Sequence, residues 1–69
     1  MGLNFIEIHS NGKHFFINVN NICYVDDNDK HGCTIVTNTA HMSTIIAEES
    51  YSTVVAKISD LMWRNSKHL

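Results

Sequence analysis

Several things are scarce in this 69-residue chain, and each scarcity removes a class of protein. It has no proline, three glycines and two cysteines, and charged residues make up 17% of it, below the usual quarter. No repeat, low-complexity stretch or Pro/Gly-rich linker interrupts it, so a single domain over residues 1–69 is expected. Its apolar runs are only a few residues long, as at Phe15, Phe16 and Ile17, too short to cross a bilayer as a helix. Neither the charged start nor the apolar segment of a signal peptide opens the chain. Two cysteines are no disulfide framework, so Cys23 and Cys33 are expected as buried thiols in a reducing, cytoplasmic setting. With five Lys plus Arg and a net charge of -2 there is no basic field for counterion release, which makes nucleic acid a poor default partner.

The apolar fraction of 43% is that of an ordinary folded domain. A domain this short buries only about 60% of its unfolded surface, so extra burial through self-association is expected. Residues 3–9 and 13–18 are rich in Phe and Ile and flank Asn11-Gly12, the pair that suits the two positive-φ positions of a type I′ hairpin turn. Around that turn Ser10 faces Lys13, His9 faces His14, Ile8 faces Phe15, Glu7 faces Phe16 and Ile6 faces Ile17. Alternation then gives one core face, Ile6, Ile8, Phe15 and Ile17, and one mixed face, Phe5, Glu7, His9, His14 and Phe16.

After a bend at Val19–Asn21, residues 22–26 and 33–37 read as a second hairpin around the polar loop 27–32. Pairing Asp26 with Cys33 puts Tyr24 and Ile35 on one face and Cys23, Val25, Thr34 and Val36 on the other. The cysteines then point apart and cannot bridge. A further strand at 41–46 follows a tight turn at Asn38 and Thr39. A helix over about 50–65 starts behind Glu48 and Glu49 with Ser50 or Ser52 as its cap. Its apolar stripe is Tyr51, Val54, Val55, Ile58, Leu61 and Met62; Ser52, Thr53, Lys57, Ser59, Asp60 and Arg64 fill the other side, and Trp63 falls off the stripe. Arg64, Lys67 and His68 suit the negative end of the helix dipole. The expected fold is α+β: a curved antiparallel sheet of about five strands, residues 3–46, with the C-terminal helix across one face.

Gly12, Lys13, Asn18, Ile22, Thr34 to Thr37, Glu49, Ser50, Tyr51, Val54, Val55 and Ile58 give the chain a layout that resembles small flagellar FlbD-like proteins. The resemblance implies a small bacterial accessory protein of motility and carries no catalytic residue; Thr39 stands where that pattern has a second turn glycine. A second resemblance, through Ile22, Cys23, Tyr24, Val25, Ser50 and Ile58, is to the first part of LytTR-type DNA-binding domains. It implies a nucleic-acid-binding regulatory domain as the alternative function. The Arg-x-His-Arg-Ser-Tyr segment with which such domains continue, and much of their basic character, is not in this sequence.

The chemistry-bearing residues are few. His9 and His14 are expected as direct cross-strand neighbours with Glu7 on the same face, a candidate metal set. A structural zinc site needs four ligands and this set supplies three, so the expectation is no metal and no cofactor, with polar residues on a solvated or interfacial face. Asp27, Asp29 and Gly32 match the start of a calcium loop, but His31 and Asn38 stand where acidic ligands belong and strands flank the loop, so a solvated loop is expected. No base is placed beside either cysteine, and no Gly-x-Ser-x-Gly elbow occurs, so the chain is expected to be no enzyme. Phe5, Phe16 and Trp63 lack the basic groove of a base-stacking platform and are the expected interface residues. The function expected is a self-associating protein interaction module, most simply a two-fold dimer.

Overall fold

The computed structural model describes residues 4–28, 32–40 and 43–66. Strand β1 (Phe5–Ser10) and strand β2 (Lys13–Asn18) form the first hairpin. Asn11 and Gly12 take φ of 53° and 77°, the two positive values that a type I′ turn requires, and a small polar residue and a glycine tolerate them best. That turn fixes the register His9↔His14, Ile8↔Phe15, Glu7↔Phe16 and Ile6↔Ile17, as the sequence predicts. Ile6, Ile8 and Ile17 are buried and Phe15 packs against them, while Phe5 and Phe16 are exposed on the opposite face.

A 3-10 turn at Val19–Asn21, capped by the Asn18 side chain, leads into β3 (Ile22–Asp27). With β4 (Cys33–Thr37) and β5 (Thr44–Ala47) it makes a three-stranded antiparallel sheet in the order β3-β4-β5. Ile22 lies opposite Thr37, as the expected register requires, but from Tyr24 onward the β3/β4 register differs from expectation by one residue: Asp27, not Asp26, lies opposite Cys33, and Val25 lies opposite Ile35. Tyr24 therefore does not share a face with Ile35; it is exposed, whereas Val25 joins the core. Burial decides this, because β4 buries Cys33, Ile35 and Thr37 in alternation, and only the observed register brings Val25 as well as Ile22 to that side. A shift between Ile22 and Tyr24 leaves Cys23 as the extra residue of a bulge. Cys23 is consequently exposed rather than buried; Cys33 is the buried thiol, and both are free.

Strand β5 is Thr44–Ala47; of the expected strand over 41–46, residues 41 and 42 lie outside the described residues and Ser43 is not in the strand. The Thr37 N–H donates to the carbonyl of Ser43 at 2.8 Å, and the Asn38 N–H donates to the Asn21 carbonyl at 2.9 Å. The five strands do not form one curved sheet. β1–β2 and β3–β4–β5 are separate ladders that share a single core of Ile6, Ile8, Ile17, Cys33, Ile35, Ile45, Ala47 and Val54.

Helix α1 (Tyr51–Ser66) is capped by Ser50, whose Oγ accepts the Thr53 N–H at 3.2 Å and whose carbonyl accepts the Val54 N–H at 3.0 Å. It buries Val54 completely and lays Ile58 and Leu61 against the core. The ends of the expected stripe are not covered: Tyr51 and Met62 are exposed. Lys67 and His68 lie outside the described residues. No helix among the described residues is long and apolar enough to cross a membrane.

Candidate functional site

The outer edge of β1 is where the hairpin, the second sheet and the helix meet. In a hairpin with a two-residue loop, the non-hydrogen-bonded positions, here Glu7 and His9 on β1 with Phe16 and His14 on β2, turn their backbone groups away from the partner strand. On β1 three of those four groups are taken up. The His9 carbonyl accepts the Glu48 N–H at 2.7 Å, the His9 N–H donates to both oxygens of Glu49 at 2.9 and 3.1 Å, and the Glu7 carbonyl accepts from Lys57 Nζ at 2.6 Å. Ser10 Oγ donates to the Ile46 carbonyl, and the Gly12 N–H in the turn donates to Glu48 Oε2 at 2.8 Å. Asn65 reaches Asn4 at 3.3 Å, so the helix follows this edge from one end to the other.

On the outer face of the same hairpin the side chains of Glu7, His9 and His14 converge. The two imidazoles meet edge to face with centroids 4.2 Å apart. Each ring has a carboxylate on Nδ1: Glu49 Oε2 at 2.6 Å for His9 and Glu7 Oε2 at 2.8 Å for His14. One ligand atom from each of Glu7, His9 and His14 lies within 4.8 Å of the other two. The His14 bond holds the Glu7 carboxyl below its ordinary range, and the Glu49 bond holds the His9 imidazolium above its own. Burial pushes the Glu49 carboxyl up, but the His9 ring and N–H, with the Glu49 N–H and Lys57, together outweigh it and the net shift is downward.

No family model, curated protein or solved structure matches the chain. What the site can do follows from its geometry.

Of the residues singled out in the sequence, Glu7, His9 and His14 are brought together. Phe5 and Phe16 flank Glu7 as a diagonal pair on the same face, one along the strand and one across it. Trp63 is no part of that surface; it stands exposed on the helix, about 200° round from Leu61, which faces the core. Beside Phe5, an open cleft of about 340 Å³ between β1 and α1 has Phe5, Ile6 and Leu61 for its floor and Lys57, Asp60 and Arg64 at its rim. In the calcium-like loop, Asp29 and His31 lie outside the described residues. Gly32 serves the backbone there, because its φ is +97° and a Cβ would collide with the carbonyl oxygen of Ala47.

Sequence reasoning missed Glu49 and Lys57. In the sequence Glu49 reads as a charge favouring the helix start and Lys57 as part of the polar side of the helix, and nothing local marks a partner forty residues away. One signal was available: Lys57 adjoins Ile58 and sits one turn from both Val54 and Leu61, at the border of the stripe, where a long side chain can reach past the core to a strand.

Proposed function

We propose that this protein is a small interaction module that self-associates by pairing the outer edge of β2 with β2 of a second copy. The observation that carries this reading is the difference between the hairpin's two edges. On β1 three of the four outward backbone groups of Glu7 and His9 are satisfied by Glu48, Glu49 and Lys57, whereas none of those of His14 and Phe16 on β2 has a partner among the described residues. An open edge of this kind is a template for another strand. Phe16, 69% exposed, stands on it, and Phe5 is 53% exposed beside it. Burying an aromatic ring of that size contributes about 1.5–3 kcal/mol, a large share of the stability available to a core this small.

The partner is a second copy, because strand addition along a two-fold axis places His14 opposite Phe16 twice and buries both rings at one seam. The FlbD-like resemblance supplies the biological setting of this reading, an accessory of bacterial motility. An exposed free thiol at Cys23 suits a reducing, cytoplasmic compartment. Nucleic acid is disfavoured by the placement of the cations. Of Lys13, Lys57 and Arg64, Arg64 pairs with Asp60 at 3.0 Å and Lys57 is turned to the Glu7 carbonyl.

Sedimentation equilibrium tests the reading. Wild type is expected to be dimeric at high micromolar concentration and Phe16→Glu monomeric with an unchanged circular dichroism spectrum. A wild type that stays monomeric sinks it, and a dimer that survives Phe16→Glu but not Trp63→Glu moves the contact to the helix.

A further inference from the structure

We propose that Glu7, His9 and His14 form an open surface site for a divalent ion of the zinc class. Three observations carry it, and none depends on the oligomeric state. First, the hairpin register makes His9 and His14 a directly opposed pair, so their Cβ atoms are held at the closest spacing two strands offer, with Glu7 two residues along on the same face. Donor atoms of all three already lie within 4.8 Å of one another. Ligands at 2.0–2.2 Å around a tetrahedral ion stand about 3.3 Å apart, so the set has to close by roughly 1.5 Å at most. Two of its members have room to do so: the His14 and Glu7 side chains are 64% and 41% exposed.

Second, His9 is already oriented as a metal-binding histidine is. Its Nδ1 is held by Glu49, a carboxylate only 13% exposed, which leaves Nε2 as the nitrogen available to an ion. A carboxylate behind the imidazole fixes its tautomer and raises its basicity as a ligand. Glu49 needs no ion to keep its place, because the His9 N–H and Lys57, at 3.9 Å, hold it there. Third, the Glu7 carboxylate and the His14 imidazole stand 2.8 Å apart, close to the spacing of two ligands on one ion. An ion exchanges that single hydrogen bond for two metal–ligand bonds.

Two imidazole nitrogens and one carboxylate oxygen select a borderline ion such as Zn²⁺, Cu²⁺ or Ni²⁺ over Ca²⁺ or Mg²⁺, which want oxygen alone. With three protein ligands on an exposed face, water completes the coordination, and the ion is exchangeable. Its position beside Phe16, on the edge-strand face, links metal occupancy to the surface described above.

Isothermal titration of the full chain with ZnCl2, and the visible spectrum of the Co²⁺ form, test the proposal. One ion per chain is expected. His14→Gln and Glu7→Gln should each weaken binding at least tenfold, and Glu49→Gln, which touches no ion, by about 10- to 100-fold with the Co²⁺ spectrum altered. A variant with His31, His41 and His68 all changed to Gln should bind as wild type does. Absence of binding at about 1 mM Zn²⁺, or binding that survives His9→Gln combined with His14→Gln, overturns the proposal; circular dichroism of each variant confirms that it is folded.

Discussion

The Nδ1 atom of His9 lies 2.6 Å from Oε2 of Glu49, and the His9 backbone N–H donates to the same carboxylate at 2.9 and 3.1 Å. One residue of β1 thus grips, by ring and backbone together, the residue that leads into the helix. This clamp joins three parts of the fold that local sequence cannot bring together: the first hairpin, the exit from β5 and the start of α1.

The clamp makes stability depend on pH, with a sign that follows from the shifts. His9 has its pKa raised above 6.5, so its contribution is complete below 6.5 and is lost as pH climbs through the folded value. Glu49 has its pKa lowered below 4.5, so its contribution is complete above 4.5 and is lost as pH falls through the folded value. Glu7 and Glu48 near His9 reinforce the first effect, and Lys57 beside Glu49 reinforces the second. With a chelator present, the melting-temperature gap between wild type and Glu49→Gln should be widest between pH 4.5 and 6.5 and narrow on both sides. A gap independent of pH would contradict the clamp.

Gly32→Ala should be among the most damaging single changes. The residue must hold a φ of +97° and its Cβ would meet the Ala47 carbonyl, so backbone strain and a steric clash add. A loss of about 2–4 kcal/mol in urea unfolding is expected. Gly12→Ala meets nothing within 4 Å and should cost only the positive-φ penalty, about 1 kcal/mol.

Within the helix, Val54→Ala and Met62→Ala should separate sharply. Val54 is fully buried, and removing two methyl groups there costs about 2 kcal/mol with the cavity included. Met62 is 63% exposed, and its truncation should stay within about 0.5 kcal/mol. Equal effects in chemical denaturation would restore the full six-residue stripe.

The two thiols should differ in reactivity. Cys23 sits exposed on a bulge, whereas Cys33 is buried, and burial pushes its thiol pKa up. A disulfide reagent at neutral pH should label Cys23 at once and Cys33 only as fast as the protein opens. Rapid labelling of both would place Cys33 at the surface.

The first hairpin and the helix were determined by sequence alone, because their signals are local. Asn11-Gly12 admits essentially one tight turn, and that turn sets every pair from Ser10–Lys13 to Phe5–Asn18. Ser50 ahead of a 3.6-residue apolar period does the same for α1. The face that brings Glu7, His9 and His14 together was legible for the same reason. The rest needed tertiary structure. The β3/β4 register was chosen by burial of Val25 opposite Ile35, which turns on a bulge at Cys23 that no turn residue announces. The division into two ladders was decided by Glu48, Glu49 and Lys57 occupying the edge of β1 where a further strand would have paired. These are contacts between residues some forty to fifty positions apart, and their energies exist only once the core has set the distance between them.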